Sequence, residues 1–582
     1  MIQYTFSSEH PNSHYIDIEL IVKDCRGETL ELQLPSWRPG RYELGNFAKN
    51  IKKFSCYDKD GHPLNFSKVN KDLWVISTEG NSMIKINYSY FASELNAGST
   101  FVDDTQMYVN PVNCCMYVPD RMHEEHSIKL KVPENYKVVG SLLKSSPFTL
   151  QATNFEELAD SPFICSEKIQ SINFKVKTID IHLHFTGECR PDNERLLQDF
   201  RKFIDISLEF FESSPINEFH FLFQILPYKF YHGVEHLRST VIAIGPGYHL
   251  MHGSTYEDVL GVSCHELFHL WNIKTIRPTE MLPYDYTKEN YSRLGFVYEG
   301  FTTYYGDLLL YQSNVFSQEQ YFKTLEERIN KHLHNFGRFN LSLANSSFDT
   351  WLDGYVPGAP YRKVSIYDEG NLFAFILDVN ILEKTNGKRS LREVCLELYR
   401  RAINKEKGYC ETDIIALVNE ISGSDLSDLF NKFCYDTTDY FSEISRCMTL
   451  LDFELNLNFS NNLHESILGI KLTDGTHGKK IINIAPGSPA FTSGLCIGDE
   501  IISVNHKGCK LDAKEWFNYY LESEKKIELG IIRQNETRNI KISCGEKMYF
   551  PYATILDKKT NKTDKENLLL RGWEGFTWRN NK

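Results

Sequence analysis

The chain has 582 residues, of which 41% are hydrophobic, 13% aromatic and 24% charged. Disordered chains seldom carry so many aromatics, and at roughly 100–200 residues per domain this length predicts three to five folded domains. Lys and Arg number 64 against 77 Asp and Glu, a net charge of −13, which disfavours nucleic acid and anionic membranes as partners.

The opening stretch MIQYTFSSEHPNSHYIDIEL has neither a basic start nor a continuous apolar run, so no signal-peptide pattern is read there. No segment approaches the ~18 apolar residues of a membrane span. The fourteen cysteines are scattered without a CxxC pair. Reduced thiols and a cytoplasmic protein are expected.

Residues 1–168 carry short alternating segments such as YIDIELIV, MIKINYSYF and HSIKLKV, punctuated by Gly, Pro and Asn. Period-two alternation predicts antiparallel strands, here an N-terminal β-sandwich-like domain. Within it, Leu34–Tyr42 (LPSWRPGRY) reads as a Pro/Gly-punctuated turn carrying a large aromatic, and the domain as a whole is expected to pack against the next one. Over 169–450 the texture changes. The strand DIHLHFTG leads into an amphipathic helix at about 192–213, a strand lies near 219–226, and helices dominate from Tyr256 to about Tyr440. Sheet followed by a helical lobe makes the whole a multidomain α+β chain.

A third unit spans 455–545. Its elements Ile467-Leu468-Gly469-Ile470, Gly487-Ser488-Pro489-Ala490 and GDEIISVN (498–505) resemble a PDZ domain. Residues 546–582 form a tail, with the charged linker DKKTNKTDKEN and then Arg571, Gly572 and Trp573.

The chemistry-bearing motif is Cys264-His265-Glu266-Leu267-Phe268-His269, an HExxH in helical surroundings. Histidines at i and i+4 share one helical face, so both imidazoles reach one metal ion, and the intervening glutamate can deprotonate a metal-bound water. Core histidines on an amphipathic helix are the bland alternative. Catalytic zinc usually takes three protein ligands. Glu299, 30 residues after His269 at the start of TTYYGDLLLYQ, is the best third ligand, because its helix can return antiparallel to the first. Glu280, Glu289 and Asp285 compete from the polar connection. Cys264 reads as a small buried filler.

The segments HELFHLWNIKTIRP and YEGFTTYYGDL resemble the PDZ-containing glycyl aminopeptidase family of zinc metallopeptidases, glutamate-zincins akin to thermolysin and aminopeptidase N. LPSWRPGRY, GSDLSDLFNKFCYDT and the terminal Arg571-Gly572-Trp573 resemble further parts of it. The resemblance implies a thermolysin-like catalytic domain with one zinc per chain, bound by His265, His269 and Glu299, with Glu266 as base. It also implies two sites beyond the metal. Tyr231–His236 resembles the family's Gly-Gly-Leu-Glu-His segment, so Glu235 would pair with a substrate α-ammonium and the edge-strand backbone at Gly233 would bind the peptide, although His232 replaces the first Gly. Tyr367 would donate its hydroxyl to the oxyanion, with Glu369 standing where the family has Lys, a charge reversal expected to alter the helix start or the local field. Trp271, Asn272, Lys274 and Arg277 match the family as supporting residues.

The expected function is an aminopeptidase acting on peptides with a free N-terminus, with a preference for Gly or Ala. An endopeptidase using the same site, or a non-catalytic PDZ binding protein, are the alternatives. The PDZ unit is expected either to receive a C-terminal carboxylate at the amides of Leu468–Ile470, to pack over the active-site mouth, or to assemble a homo-oligomer.

Overall fold

The computed structural model describes residues 2–356, 358–404, 408–509, 511–558 and 564–575. Residues 559–563 of the charged linker and the end of the tail from 576 lie outside the described residues.

Alternation decides the N-terminal domain. Along Tyr15–Lys23, Ile16, Ile18, Leu20 and Val22 are buried while Asp17 and Lys23 are exposed. This strand sits inside a seven-stranded sheet ordered 143–146, 149–152, 126–131, 2–7, 15–23, 83–91, 51–57. A four-stranded sheet (137–140, 163–166, 106–109, 101–102) and a three-stranded one (29–33, 73–77, 66–68) complete the domain.

The next sheet has five strands in the order Gln170–Val176, Ile179–Thr186, Glu218–Ile225, Ser239–Gly245, Phe230–Glu235. Glu218–Ile225 runs parallel to both its neighbours. It is almost wholly buried, as is Ser239–Gly245, the pattern of strands covered on both faces. One face packs on the amphipathic helix Asn193–Phe211, where Phe200 and Phe221 meet edge to face with centroids 5.2 Å apart. The other face packs on the N-terminal domain, with Leu222 and Val241 clustered against Tyr108 and Ile164. Phe230–Glu235 is left as an edge strand.

The helical lobe follows. Gly253–Phe268 carries the HExxH sequence, and a wide helical turn Phe296–Phe301 runs straight into the helix Thr302–Gln312. The helix Asp368–Thr385 is buried on nearly every side from Glu369 to Leu382, as a helix apolar all round must be. It touches the wide turn backbone to backbone, since a Cβ on Gly300 would lie 2.5 Å from the Gly370 Cα. Only glycine allows that approach.

The C-terminal small domain has its own core around Ile470, Ile501, Phe517 and Ile531. Its sheet starts later than the expected 455. Phe453–Phe459 pairs instead with Pro551–Asp557, in a two-stranded ribbon outside that sheet. The ribbon lies on the helix Gln318–His334, with the Ala553 N–H donating to Asn330 Oδ1 at 2.7 Å. The tail also returns to the lobe. Trp573, in the helix Asp564–Trp573, is buried, donates its indole N–H to the Tyr304 hydroxyl (3.0 Å) and accepts from Gln312 Nε2 on its carbonyl (2.6 Å). Among the described residues no helix is long and apolar enough to cross a membrane.

Candidate active site

His265 lies in the last turn of Gly253–Phe268, and His269 follows its end in helical conformation. The two Nε2 atoms are 3.1 Å apart. Glu299 Oε2, from the wide turn, lies 3.3 Å from His269 Nε2 and 3.7 Å from His265 Nε2. Donors about 2.0–2.2 Å from a tetrahedral zinc stand roughly 3.3–3.6 Å apart, so the three atoms already outline one face of such a site. Two further observations fit a cation. His269 Nδ1 lies 2.7 Å from the Asn272 carbonyl, which can only accept, so Nδ1 carries the hydrogen and Nε2 offers its lone pair to the centre. Glu299 Oε2, buried, has no hydrogen-bond partner, while Oε1 accepts from the Tyr42 hydroxyl at 3.1 Å. Glu280, Glu289 and Asp285 join no such cluster among the described residues; Asp285 instead accepts from the Thr287 amide and hydroxyl.

Burial works against the charge on Glu299, but His269 and His265 more than offset it and hold its carboxyl at about 2. Burial likewise opposes a charged His269, and Glu299 and Glu235 overcome it, raising the imidazole to about 10. The same negative field favours a dication. Burial moves Glu266 well above the carboxylate range, with Glu235 and Glu299 adding to the effect and His269 opposing it.

Glu235 ends the edge strand, buried, with Oε1 unpartnered. Acceptor atoms of Glu235, Glu266 and His269 lie within 4.8 Å of one another. Gly233, two residues earlier on the same face, packs against the Glu266 carboxylate, where a Cβ would come within 2.2 Å of Oε1. A side chain at 233 would displace Glu266. By strand alternation His232 projects to the other side, where burial, Arg38 and Arg41 hold its imidazole down at about 3.

Tyr367 precedes the helix Asp368–Thr385, its ring 6.4 Å from that of His265 and its hydroxyl 3.3 Å from the Tyr355 hydroxyl. Glu369 lies in the first turn of that helix. It is buried away from the cleft, with both oxygens 2.8–2.9 Å from His332 Nδ1. Gly233, Glu235, His265, Glu266, His269, Glu299 and Tyr367 line a cleft of about 360 Å³. It adjoins, through Lys331, Ser365, Tyr367 and Asp368, a groove of about 810 Å³ that reaches Lys471 and Asn483 of the small C-terminal domain.

The four supporting residues have defined partners. The Asn272 amide donates to the Val297 carbonyl and Thr302 hydroxyl, tying the loop after the HExxH helix to the turn that carries Glu299. Trp271 donates to the Ser213 carbonyl. Lys274 pairs with Asp160 at 2.7 Å, and Arg277 with Glu156 at 2.7 Å, both across to the N-terminal domain. Asp160 also accepts from the Leu237 amide and contacts His236, bracing the turn beyond Glu235. Cys264 is buried and its thiol is pushed up by that burial.

The turn Leu34–Tyr42 is more than packing. Trp37 donates to the Asp285 carbonyl and the Ser36 amide to that of Tyr286, and the turn brings Gly40 to the cleft and the Tyr42 hydroxyl onto Glu299, with Arg38 buried nearby. Sequence reasoning passed over Arg38, Gly40, Tyr42 and Tyr355. The available signal was two arginines and a tyrosine crowded around one Pro-Gly turn.

Two amides of the PDZ-like loop have partners within the loop. Leu468 donates to the Leu463 carbonyl at 3.3 Å and Gly469 to that of Glu465 at 3.2 Å. The domain faces the lobe. Lys471 Nζ lies 2.8 Å from His334 Nδ1, and the Tyr361 hydroxyl binds the backbone of Ile484.

An HExxH helix, an acidic third ligand on the turn that opens the following helix and a cleft bounded by an edge strand define a metallopeptidase. Family models match over residues 3–167 (peptidase M61 N-terminal domain), 258–373 (M61 glycyl aminopeptidase) and 466–544 (PDZ domain). The chain thus carries a peptidase M61 N-terminal domain, an M61 glycyl aminopeptidase domain and a PDZ domain in that order. An aminopeptidase N family protein from Idiomarina loihiensis has the same fold, with a TM-score of 0.90 at 24% identity over 98% of this chain and 100% of that one. The M1 zinc metallopeptidase from Deinococcus radiodurans gives a TM-score of 0.45 at 12% identity, over 75% and 94% of the two chains. No curated protein matches the sequence.

Proposed function

We propose that this metallopeptidase is a zinc-dependent aminopeptidase releasing small N-terminal residues, Gly or Ala, from peptides. One zinc per chain would be held by His265, His269 and Glu299. When bound, it supplies a water of lowered pKa and polarises the scissile carbonyl. Glu266 takes the proton of the attacking water and returns it to the leaving amine. The Tyr367 hydroxyl donates toward the oxyanion. The edge-strand backbone at Gly233 pairs with the extended substrate, whose later residues run into the groove beside Lys471. A cytoplasmic setting belongs to this reading and rests on the described cysteines, all of which are free.

The observation that carries the aminopeptidase reading is Glu235. Its unpartnered, buried Oε1 beside Glu266 is a costly arrangement unless a cation completes it, and a substrate α-ammonium is such a cation. The preference for Gly or Ala rests on the family resemblance.

The test pairs glycyl and alanyl peptides with their N-acetylated forms. Cleavage of the free peptides alone is expected, with turnover falling about 100-fold or more in Glu266→Gln and lost on chelation. Equal cleavage of acetylated and free peptides would point instead to the endopeptidase. A Glu266→Gln protein with undiminished turnover would remove the central claim.

A further inference from the structure

A second group of metal-type ligands lies away from the cleft, on the face of the five-stranded sheet opposite the helix Asn193–Phe211. His182 and His184 are i and i+2 on Ile179–Thr186, and so share a face. In the parallel register His182 lies beside His220, and Glu218 is two residues before His220 on the neighbouring strand. The three rings stack, with His182 and His220 centroids 4.6 Å apart.

The ring nitrogens are oriented. His182 Nδ1 lies 2.8 Å from Asn173 Oδ1, an acceptor, so Nδ1 carries the hydrogen and Nε2 is free to ligate. His220 Nδ1 lies 3.2 Å from His184 Nε2, and His184 Nδ1 lies 2.8 Å from the Ser171 hydroxyl. Where that chain runs from His220 to Ser171, His220 Nε2 also presents a lone pair; where it runs from the Ser171 hydroxyl, Nε2 carries a hydrogen toward Glu218 that a metal ion would displace. Both Nε2 atoms converge on a single carboxylate oxygen, Glu218 Oε1, at 3.0 Å and 3.3 Å. His182 Nε2 is buried and has no hydrogen-bond partner. Two lone pairs aimed at an anionic oxygen repel unless a proton or a metal ion lies among them.

We propose that His182, His220 and Glu218 form a second metal site, for a divalent transition ion of the zinc class. Two imidazoles and one carboxylate suit zinc rather than calcium or magnesium. The three donor atoms lie within 4.8 Å of one another, close enough to share one ion, and the half-exposed Glu218 leaves a fourth position open to water. His184, Ser171 and Asn173 are positioning residues, acting through the rings they hold. Arg238, 3.8 Å from Glu218 Oε2, and Lys144, whose charge acts on His184 and Glu218, weaken the site relative to the catalytic one. An ion here pins two neighbouring strands on the face that meets the N-terminal domain.

The experiment measures zinc bound by the full-length chain after chelation and re-equilibration. About two equivalents are expected for the wild type, about one for His182→Gln/His220→Gln, and about one for His265→Ala/His269→Ala. Calcium is expected to occupy neither site. Zinc should also raise the melting temperature of His265→Ala/His269→Ala, and Glu218→Gln in that background should weaken the remaining site about tenfold or more. Turnover of the His182→Gln/His220→Gln protein should equal that of the wild type. The proposal is overturned if that variant binds as much zinc as the wild type. It is equally overturned if His265→Ala/His269→Ala binds none and shows no thermal shift, a result that would leave the catalytic reading intact.

Discussion

His332 and Glu369 show how one buried pair answers to pH. Burial alone would depress the imidazole, but Glu369 and Asp439 raise it to about 9. The unfolded value is about 6.5, so the folded state binds this proton more tightly. The resulting stability is fully present below about pH 6.5 and is lost as pH rises through about 9, with a total on the order of 3 kcal/mol. Melting temperatures of the wild type should fall over that window, and those of His332→Gln should fall less. Parallel profiles for the two proteins would remove the pair from the account. Tyr42 gives a second expectation. Its hydroxyl holds Glu299 Oε1, so Tyr42→Phe should weaken metal binding about tenfold, read by chelator competition, with little change in melting temperature. The two residues also mark what the sequence made legible. His265, Glu266 and His269 stand out because helical geometry alone puts neighbours in one motif on one face. Tyr42 meets Glu299 across 257 residues, a contact that no local period encodes. Glu369 stood next to a site residue in sequence, but the turn of the helix carries its side chain the other way.

Between elements, the decisive contact is the crossing at Gly300 and Gly370. It sets the distance between the turn bearing Glu299 and the helix that Tyr367 introduces. A Cβ at 300 must push the two backbones apart, at a cost of about 1–3 kcal/mol. Gly300→Ala should therefore lower both melting temperature and turnover, the second because Glu299 moves with its turn. If turnover held while stability fell, the crossing would be structural only. The strands and helices of this region were largely readable from period and punctuation, since both faces of each element demand apolar residues at fixed intervals. The ribbon 453–459 with 551–557 was not. Its partner lies beyond the whole PDZ unit, and a single alternating segment cannot announce which sheet it will join.

At the scale of the whole molecule, the chain closes on itself twice. The ribbon lies on the helix Gln318–His334, and Trp573 is buried against Tyr304 and Tyr321. Trp573→Ala empties a large buried volume and should cost about 3–5 kcal/mol, with the melting transition of the helical lobe lowered; an unchanged melting profile would show that the tail helix only rests on the surface. The turn Leu34–Tyr42 has a different reach. It is made early in synthesis, whereas His265, His269 and Glu299 emerge more than 200 residues later, and Gly40 reaches the cleft and Tyr42 reaches Glu299 only once the N-terminal domain has docked on the five-stranded sheet. Tyr42 thus ties the centre to a domain made more than 200 residues earlier, so a change in how the two domains dock would be felt at Glu299 without touching any residue of the HExxH helix.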